Sequence, residues 1–231
     1  MDIGKAFSFV FEDKEWVTNI LIAMLIMLLG VLFSWLVIPA ILAALLFSGY
    51  GLEITRRVLR GESDVLPAWD NWGKLFTDGL MVAIIGIVYA LPMIIASLCL
   101  GIPLGIVSEN SDSAAAVFSS LLSCLNLMWA IVLSFLLPAA IATYAREGEL
   151  SAAFRFGEVV ALVRDHFTTY LITAVMVWVA NFIGGLGILL CGVGWLFTTP
   201  YASFVTSHLY GQAYVEAVGL VPQAVVETDS V

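Results

Sequence analysis

The sequence predicts an all-α integral membrane protein with six transmembrane helices, paired as three parallel helical hairpins, and amphipathic interfacial helices on the cytoplasmic side. Three observations predict this fold class. The 231 residues are 61% hydrophobic and 12% charged, whereas a soluble domain is about half apolar and about a quarter charged. Several apolar runs reach the ~20 residues that a spanning helix needs. The nine basic residues occupy only alternate connections between these runs.

The first hairpin follows an amphipathic lead-in, residues 1–15. Phe7, Val10 and Phe11 recur at helical spacing, which predicts a helix lying on the membrane surface. Trp16 then takes an interfacial position. The first two spans are predicted at 16–37 and 41–58, joined by a short uncharged turn.

A polar segment, RGESDVLPAWDNWGKLFTDG at 60–79, separates the first hairpin from the second. Spans three and four are predicted at 79–106 and 115–144, with a short acidic loop between them. A second amphipathic stretch near 146–166 precedes spans five and six, at 167–186 and 195–213. We expect kinks at prolines inside the spans, because proline removes a backbone hydrogen bond. These prolines are Pro92, Pro138 and Pro200.

The distribution of lysine and arginine predicts the orientation. All nine precede the first span, lie between spans two and three, or lie between spans four and five. The positive-inside rule therefore places both termini in the cytoplasm.

Three parallel repeats are also predicted, over 1–60, 61–147 and 148–216, within one membrane domain, 1–216. Each has an amphipathic lead-in, a boundary aspartate and a hairpin. The boundary residues are Asp13, Asp78 and Asp165. Any six-helix protein with amphipathic linkers could show similar matches. The small, polar and acidic tail, 217–231, is predicted to be disordered.

The most distinctive cluster is Trp69, Asp70 and Trp72. One interpretation is an interfacial anchor, in which Asp70 caps the helix that carries Trp72. The other is a docking surface for a partner, since aromatic residues are enriched at interfaces. Nearby, Arg56, Arg57 and Arg60 either hold an anionic lipid head group or only determine the topology.

Two amides, Asn126 and Asn181, are the clearest polar groups predicted inside spans. They either make hydrogen bonds between helices or line a transport path. No carboxylate or cation is expected near the middle of a span, which argues against proton- or sodium-coupled transport.

The sequence favours no enzymatic activity, cofactor or metal site. His166 and His208 are about 40 residues apart, the three cysteines form no CxxC pair, and no hydrolase or nucleotide-binding motif is present. The net charge of −9 does not suggest a nucleic-acid binder, because contacts with phosphates need clustered lysines and arginines.

Two stretches resemble the prokaryotic family called domain of unknown function 4013. They are AFSFVFEDKEW near the start and RGESDVLPAWDNWGKLFTDGL at 60–80. The second is similar to a Leu-Pro-x-Trp-Asp-x-Trp-Gly segment ahead of a helix that opens with Gly-Leu. The resemblance implies a multi-span bacterial or archaeal membrane protein, and it implies no activity.

The expected function is therefore that of a non-enzymatic membrane scaffold or accessory subunit, in contact with membrane lipids and with a membrane-protein partner or a second copy of the chain. The alternative is a transporter or binding protein for a lipid or a small apolar solute.

Overall fold

The chain is all-helical in the computed structural model, which describes residues 1–108, 112–189 and 194–220. This confirms the all-α prediction for the described part. The nine α-helices found there are α1 (Ile3–Glu12), α2 (Trp16–Leu32), α3 (Ile38–Arg60), α4 (Trp72–Ser108), α5 (Asp112–Glu147), α6 (Leu150–Ala153), α7 (Phe156–Asp165), α8 (Phe167–Leu186) and α9 (Trp195–Val218).

Four helical stretches are long and apolar enough to cross a membrane. They are Ile38–Arg60, Trp72–Gly101, Ser113–Glu147 and Phe167–Leu189, and a bent pair, Ile3–Glu12 with Trp16–Leu32, raises the count to five if it forms one span. The sequence predicted six. Helix α2 has only 17 residues, and α9 is not in the set because threonine, serine, histidine and glutamine are spread along it.

Helix α9 is the centre of the bundle. It packs against α1, α2, α3, α5 and α8, and Phe204, Val205 and Leu209 are completely buried there. Its polar composition fits this position, because side chains inside a bundle can find hydrogen-bond partners on other helices. Thr55 of α3, for example, donates a hydrogen bond to the carbonyl oxygen of Ser207 at 2.9 Å.

Helices α4 and α5 form the least buried pair. Only 11% and 17% of their most apolar stretches lie inside the bundle. With 37 and 36 residues, each is about 55 Å long at ~1.5 Å per residue, well beyond the ~30 Å of a hydrocarbon core. Both helices continue through the prolines at which kinks were predicted, as α9 does through Pro200.

The short helices lie at one end of the bundle. Helix α1 meets α2 at a bend of 92°, and its Ala6, Phe9 and Val10 are buried. Helix α7 buries Val159 and Val163 and exposes its other side. The start of α2, the end of α3 and the start of α4 meet at this same end, which we call the basic end because the lysines and arginines of the chain lie near it.

Several predicted boundaries shifted. The first predicted span, 16–37, stops at Leu32, and a 3-10 turn, Ser34–Leu36, makes the connection to α3. Helix α4 starts seven residues before the predicted span, because the second half of the polar segment is already helical. Helix α9 continues to Val218, so the first two residues of the predicted disordered tail are helical, and 221–231 lie outside the described residues.

Candidate functional site

Helices α3 and α4 cross at two glycines, Gly49 near the middle of α3 and Gly79 near the start of α4. A β-carbon on Gly49 would lie 1.8 Å from the carbonyl oxygen of Leu75, and one on Gly79 would lie 1.8 Å from that of Leu45. The two backbones therefore touch directly, as they do in membrane helix pairs that meet through small residues. Only glycine fits at either position.

Next to this crossing lies a network of ion pairs that joins α3 to α4. Arg56 binds both carboxylate oxygens of Asp78, one of them at 3.1 Å. Glu53 accepts hydrogen bonds from Lys74 at 2.8 Å and from Arg60 at 3.0 Å. The Glu53 and Asp78 side chains are 10% and 11% exposed, so these carboxylates depend on their cationic partners.

The network extends to α5 through an aromatic ring. The guanidinium of Arg56 lies over the ring of Tyr144, 5.7 Å from its centroid. A cation over an aromatic face is attracted by the quadrupole of the ring. The side chain of Arg56 thus links α3, on which it lies, to α4 and α5.

The polar segment folds back onto the end of α3 and does not extend into solvent. The Tyr50 hydroxyl donates a hydrogen bond to the carbonyl oxygen of Pro67 at 2.8 Å, and the Tyr50 ring stacks on Trp69 at 4.1 Å. Arg57 donates to the carbonyl oxygens of Asp64 and Leu66, each at 3.0 Å. Side chains of α3 thus bond the backbone carbonyl groups of the polar segment, which lies outside regular secondary structure there, and hold the segment in place.

Trp69 also connects the segment to α2. Its indole nitrogen donates a hydrogen bond to the carbonyl oxygen of Asn19 at 3.2 Å, and the side chain is buried. Asp70 and Trp72 are exposed, Trp72 by 44%. The three residues predicted as one cluster therefore divide into a core residue and two surface residues, and a docking surface can use only Asp70 and Trp72.

The cap predicted for Asp70 is supplied by its neighbour. The side-chain oxygen of Asn71 accepts a hydrogen bond from the backbone N–H of Lys74 at 3.1 Å. This is the spacing of an N-cap residue and the third residue of the helix. The sequence missed it because both Asp70 and Asn71 are good capping residues.

The three arginines predicted to hold a lipid head group all have partners within the chain. Arg56 pairs with Asp78, Arg57 with backbone carbonyl groups, and Arg60 with Glu53 and Glu62. A head group would have to compete with these partners. The lipid role of the arginines remains a prediction.

The carboxylates of this network were not among the predicted site residues, although their signal was present. Glu53, Arg56 and Arg60 follow at i, i+3 and i+7, which places them on one helix face. The sequence did not show that Lys74 and Asp78, on the next helix, complete the network.

A second acidic contact lies between α1 and the polar segment. Asp13 is half-buried, and burial raises the pKa of its carboxyl group; the backbone N–H of Glu15 opposes this, and the nearby carboxylate of Asp64 adds to it. The three predicted boundary aspartates have different environments, since Asp78 is paired with Arg56 and Asp165 is exposed beside Arg164.

Asn126 and Asn181 both lie on the outer surface of the bundle. Each side-chain amide donates to a carbonyl oxygen of its own helix, Asn126 to Leu122 at 2.9 Å and Asn181 to Val177 at 2.8 Å. Within the described residues, neither makes the predicted hydrogen bond to another helix. Asn126 lines a groove of about 420 Å³ between α4 and α5, together with Ser97 and Trp129.

The histidines do not form a site together. His208 is buried in α9 and stacks on Phe9 at 4.4 Å, whereas His166 lies at the start of α8. Among the described residues, no group of three or more histidine, cysteine or acidic side chains could hold a metal ion. Cys99 and Cys124 are exposed free thiols, and Cys191 lies outside the described residues.

The sequence profile of a family described as "Protein of unknown function (DUF4013)" matches residues 32–193. The chain belongs to the DUF4013 family. The match confirms the resemblance that the motifs indicated, and it covers α3 to α8 with the glycine crossing and the ion network. No curated protein and no solved structure matches this DUF4013 protein.

Proposed function

We propose that the protein is a non-enzymatic scaffold or accessory subunit of a membrane assembly, and that its docking face is the outer side of α4 and α5. The observation that carries this proposal is Asn126, an exposed amide near the middle of the span Ser113–Glu147. Among the described residues, its side chain makes one hydrogen bond, in which the amide nitrogen donates to its own helix, and its side-chain oxygen accepts none there. Between membrane helices, such a bond contributes about 0.6 kcal/mol on average.

The surroundings of Asn126 support a helix as the partner. The groove beside it is lined almost entirely by apolar side chains, with Ser97 as a second small polar group. Large apolar residues flank it, and Leu127 and Met128 are each 61% exposed. Helix association in membranes depends on close packing and on a few hydrogen bonds, and this groove offers both.

We further propose six spans, α2, α3, α4, α5, α8 and α9, paired as three parallel hairpins, with both termini in the cytoplasm of a prokaryote and the protein in its inner membrane. Each predicted span overlaps a helix. The 92° bend before α2 supports an interfacial α1, and the location of the basic residues supports a cytoplasmic basic end. Three sequence repeats would account for the three hairpins.

Reporter fusions test this topology. Alkaline phosphatase joined after residue 36 should be active, because that enzyme folds outside the cytoplasm, and fusions after residues 66 and 148 should be inactive. Green fluorescent protein at the same positions should give the reverse pattern. An active phosphatase fusion at 66 would contradict the proposed orientation.

A pull-down in mild detergent tests the docking face, with mass spectrometry of the proteins and lipids that copurify. We expect a stoichiometric partner whose recovery falls several-fold in Asn126→Leu. Asn181→Leu is the matched control, since it makes the same exchange on the outer side of α8. Equal losses in both variants, or no partner at all, would refute the α4–α5 face.

The cytoplasmic rim is tested separately with Trp72→Ala and Asp70→Asn, whose side chains are exposed. Trp69→Ala is unsuitable, because the loss of a buried ring would damage the fold whatever the partner. A partner that is lost on changing Trp72 but retained in Asn126→Leu would move the docking face to the basic end.

The second candidate function is a transporter or binding protein for a lipid or a small apolar solute. It is favoured by a cleft of about 360 Å³ among α2, α3 and α9, whose wall is mainly apolar. A continuous cavity beside Asn126 and Asn181 would favour transport, but Asn181 lines neither this cleft nor the groove between α4 and α5. A protein that purifies alone with one enriched lipid would favour this candidate.

A further inference from the structure

The apolar cleft lies at the end of the bundle opposite the basic end. Ten residues from three helices and one turn line it: Met27, Gly30, Val31, Ser34, Ala40, Ala43, Ala44, Phe47, Thr199 and Ser203. We propose that this cleft binds a single acyl chain of a membrane lipid, and that the carbonyl oxygen of the chain accepts hydrogen bonds from Thr199 and Ser203. This inference deepens the second candidate function and is independent of the docking face on α4 and α5.

Small residues create the cleft. Gly30 faces Ala43 so closely that a β-carbon on the glycine would lie 2.7 Å from that of the alanine. Ala40 and Ala44, which line the cleft on α3, have short side chains that leave space. Met27 and Phe47 have long side chains and line its sides. The resulting volume, about 360 Å³, is within the ~300–1,000 Å³ of small-molecule sites.

The hydroxyl groups of the cleft differ from most others in the spans. A serine or threonine inside a helix commonly donates to a carbonyl oxygen of the preceding turn. Ser48 does so to Ala44 and Thr143 does so to Ala139, both at 2.8 Å. In contrast, Thr199 has a buried hydroxyl oxygen without a partner among the described residues. The Ser203 hydroxyl also makes no hydrogen bond within the described residues; only the backbone carbonyl oxygen of Ser203 accepts one, from Ser207.

Thr199 and Ser203 are four residues apart on α9, so their side chains lie on the same helix face. Both hydroxyls can donate, and what the site lacks is an acceptor. An ester carbonyl oxygen supplies an acceptor without bringing another donor that would need a partner of its own. Thr199 and Ser203 therefore favour a ligand whose polar end carries a carbonyl group.

The other residues that line the cleft favour an apolar chain as the remainder of the ligand. None of the described residues that line the cleft is charged, so a water-soluble ion would lose its hydration without compensation. The cleft lies along α3, and Ala44 is 13 residues before Arg57, a distance of about 20 Å at ~1.5 Å per residue. Thus it is separated from the basic end by most of a hydrocarbon thickness. This places the cleft towards the opposite interface, where the ester carbonyl of a lipid joins its acyl chain.

The test uses the full-length protein in lipid nanodiscs that contain a phosphatidylcholine with a photoactivatable diazirine on one acyl chain. After illumination, peptide mass spectrometry locates the adducts. We expect adducts to concentrate on peptides that contain 27–47 and 199–203, at several times the yield on the outer faces of α4 and α5. Adducts spread evenly over all exposed helices would overturn the proposal.

Three variants make the test specific. Ala44→Phe fills the cleft and should reduce labelling at least threefold, and the double change Thr199→Val with Ser203→Ala should reduce it by a similar factor at nearly unchanged shape. Ser48→Ala is the matched control, because its hydroxyl is already bonded within α3. Unchanged labelling in folded Ala44→Phe or in the double variant would refute the acyl site.

Competition then identifies the lipid class. An excess of a fatty-acid methyl ester should suppress the labelling, and a polyprenol without a carbonyl group should not. Suppression by the polyprenol alone would overturn the acyl assignment. If the cleft is labelled specifically but the protein neither releases nor exchanges lipid, the acyl site is supported and the transporter function is refuted. A failure of the acyl site can therefore be distinguished from a failure of the transporter function.

Discussion

The glycine crossing of α3 and α4 makes the sharpest prediction. In Gly79→Ala, the new β-carbon would lie 1.8 Å from the carbonyl oxygen of Leu45, whereas real β-carbons essentially never come within 3.0 Å of such an atom. The helices must therefore separate by at least 1.2 Å, the difference of these two distances. A backbone atom cannot rotate away as the end of a flexible side chain can.

The expected loss of stability follows from this separation. Overpacking usually costs ~1–3 kcal/mol, and the rigid backbone obstacle places Gly79→Ala at the upper end. The ion pairs of Arg56 with Asp78 and of Lys74 with Glu53 span the same crossing and would lengthen with it. Since 1 kcal/mol corresponds to ~2–4 °C in a chain of this size, we expect the melting temperature to fall by ~6–12 °C.

The assay is thermal unfolding in detergent, followed by the fluorescence of the tryptophans. Gly86→Ala is the matched control, because Gly86 lies two turns further along α4 with nothing within 4 Å of its β-carbon position. The control should be neutral or slightly stabilising, since alanine favours a helix by ~1 kcal/mol over glycine. A Gly79→Ala protein as stable as Gly86→Ala would refute the close crossing.

Three further predictions concern the same end of the molecule. Asp78→Asn should destabilise the protein by about 3 kcal/mol, because Arg56 would lose its carboxylate partner. The double change Arg56→Met with Asp78→Leu should recover part of this loss, because it removes both charges. Equal losses in the single and double variants would contradict a paired charge. Trp69→Phe keeps the stack on Tyr50 but loses the hydrogen bond to Asn19, at a cost of ~1 kcal/mol, and Trp72→Ala should cost less than Trp69→Ala because Trp72 is partly exposed; both are read as melting temperatures. Asp13→Asn should stabilise the protein at pH 7.5 and should stabilise it less at pH 4. The folded pKa of Asp13 lies above its ordinary value of 3.8, so the ionised carboxylate lowers stability above the folded pKa, and this penalty disappears as the pH falls below the ordinary value. A stabilisation that is the same at both pH values would contradict the raised pKa.

The sequence by itself determined the all-helical architecture and the membrane-length helices, because both follow from local properties. Apolar runs of this length cannot remain in water, and inside a membrane their backbone groups are satisfied by helix formation. The run at 167–186 therefore coincides with α8 at both ends. The family could also be read from sequence, since its motif depends on residue types at fixed spacing.

Contacts between distant residues were decided only by the tertiary structure. Trp69 and Trp72 are equivalent in a sequence, yet one donates to Asn19 and is buried while the other is exposed. The same holds for Arg56, whose partner Asp78 lies 22 positions away on another helix.

Burial also decided which polar residues face inward. The polar helix α9 became the centre of the bundle. Asn126 and Asn181, predicted either to bond to other helices or to line a transport path, lie on the surface of the bundle. Periodicity shows that a helix has a distinct face, but which neighbour covers that face depends on close approaches such as Gly49 and Gly79. These approaches form only when the helices are packed together, and this is why no single stretch of the sequence encodes them.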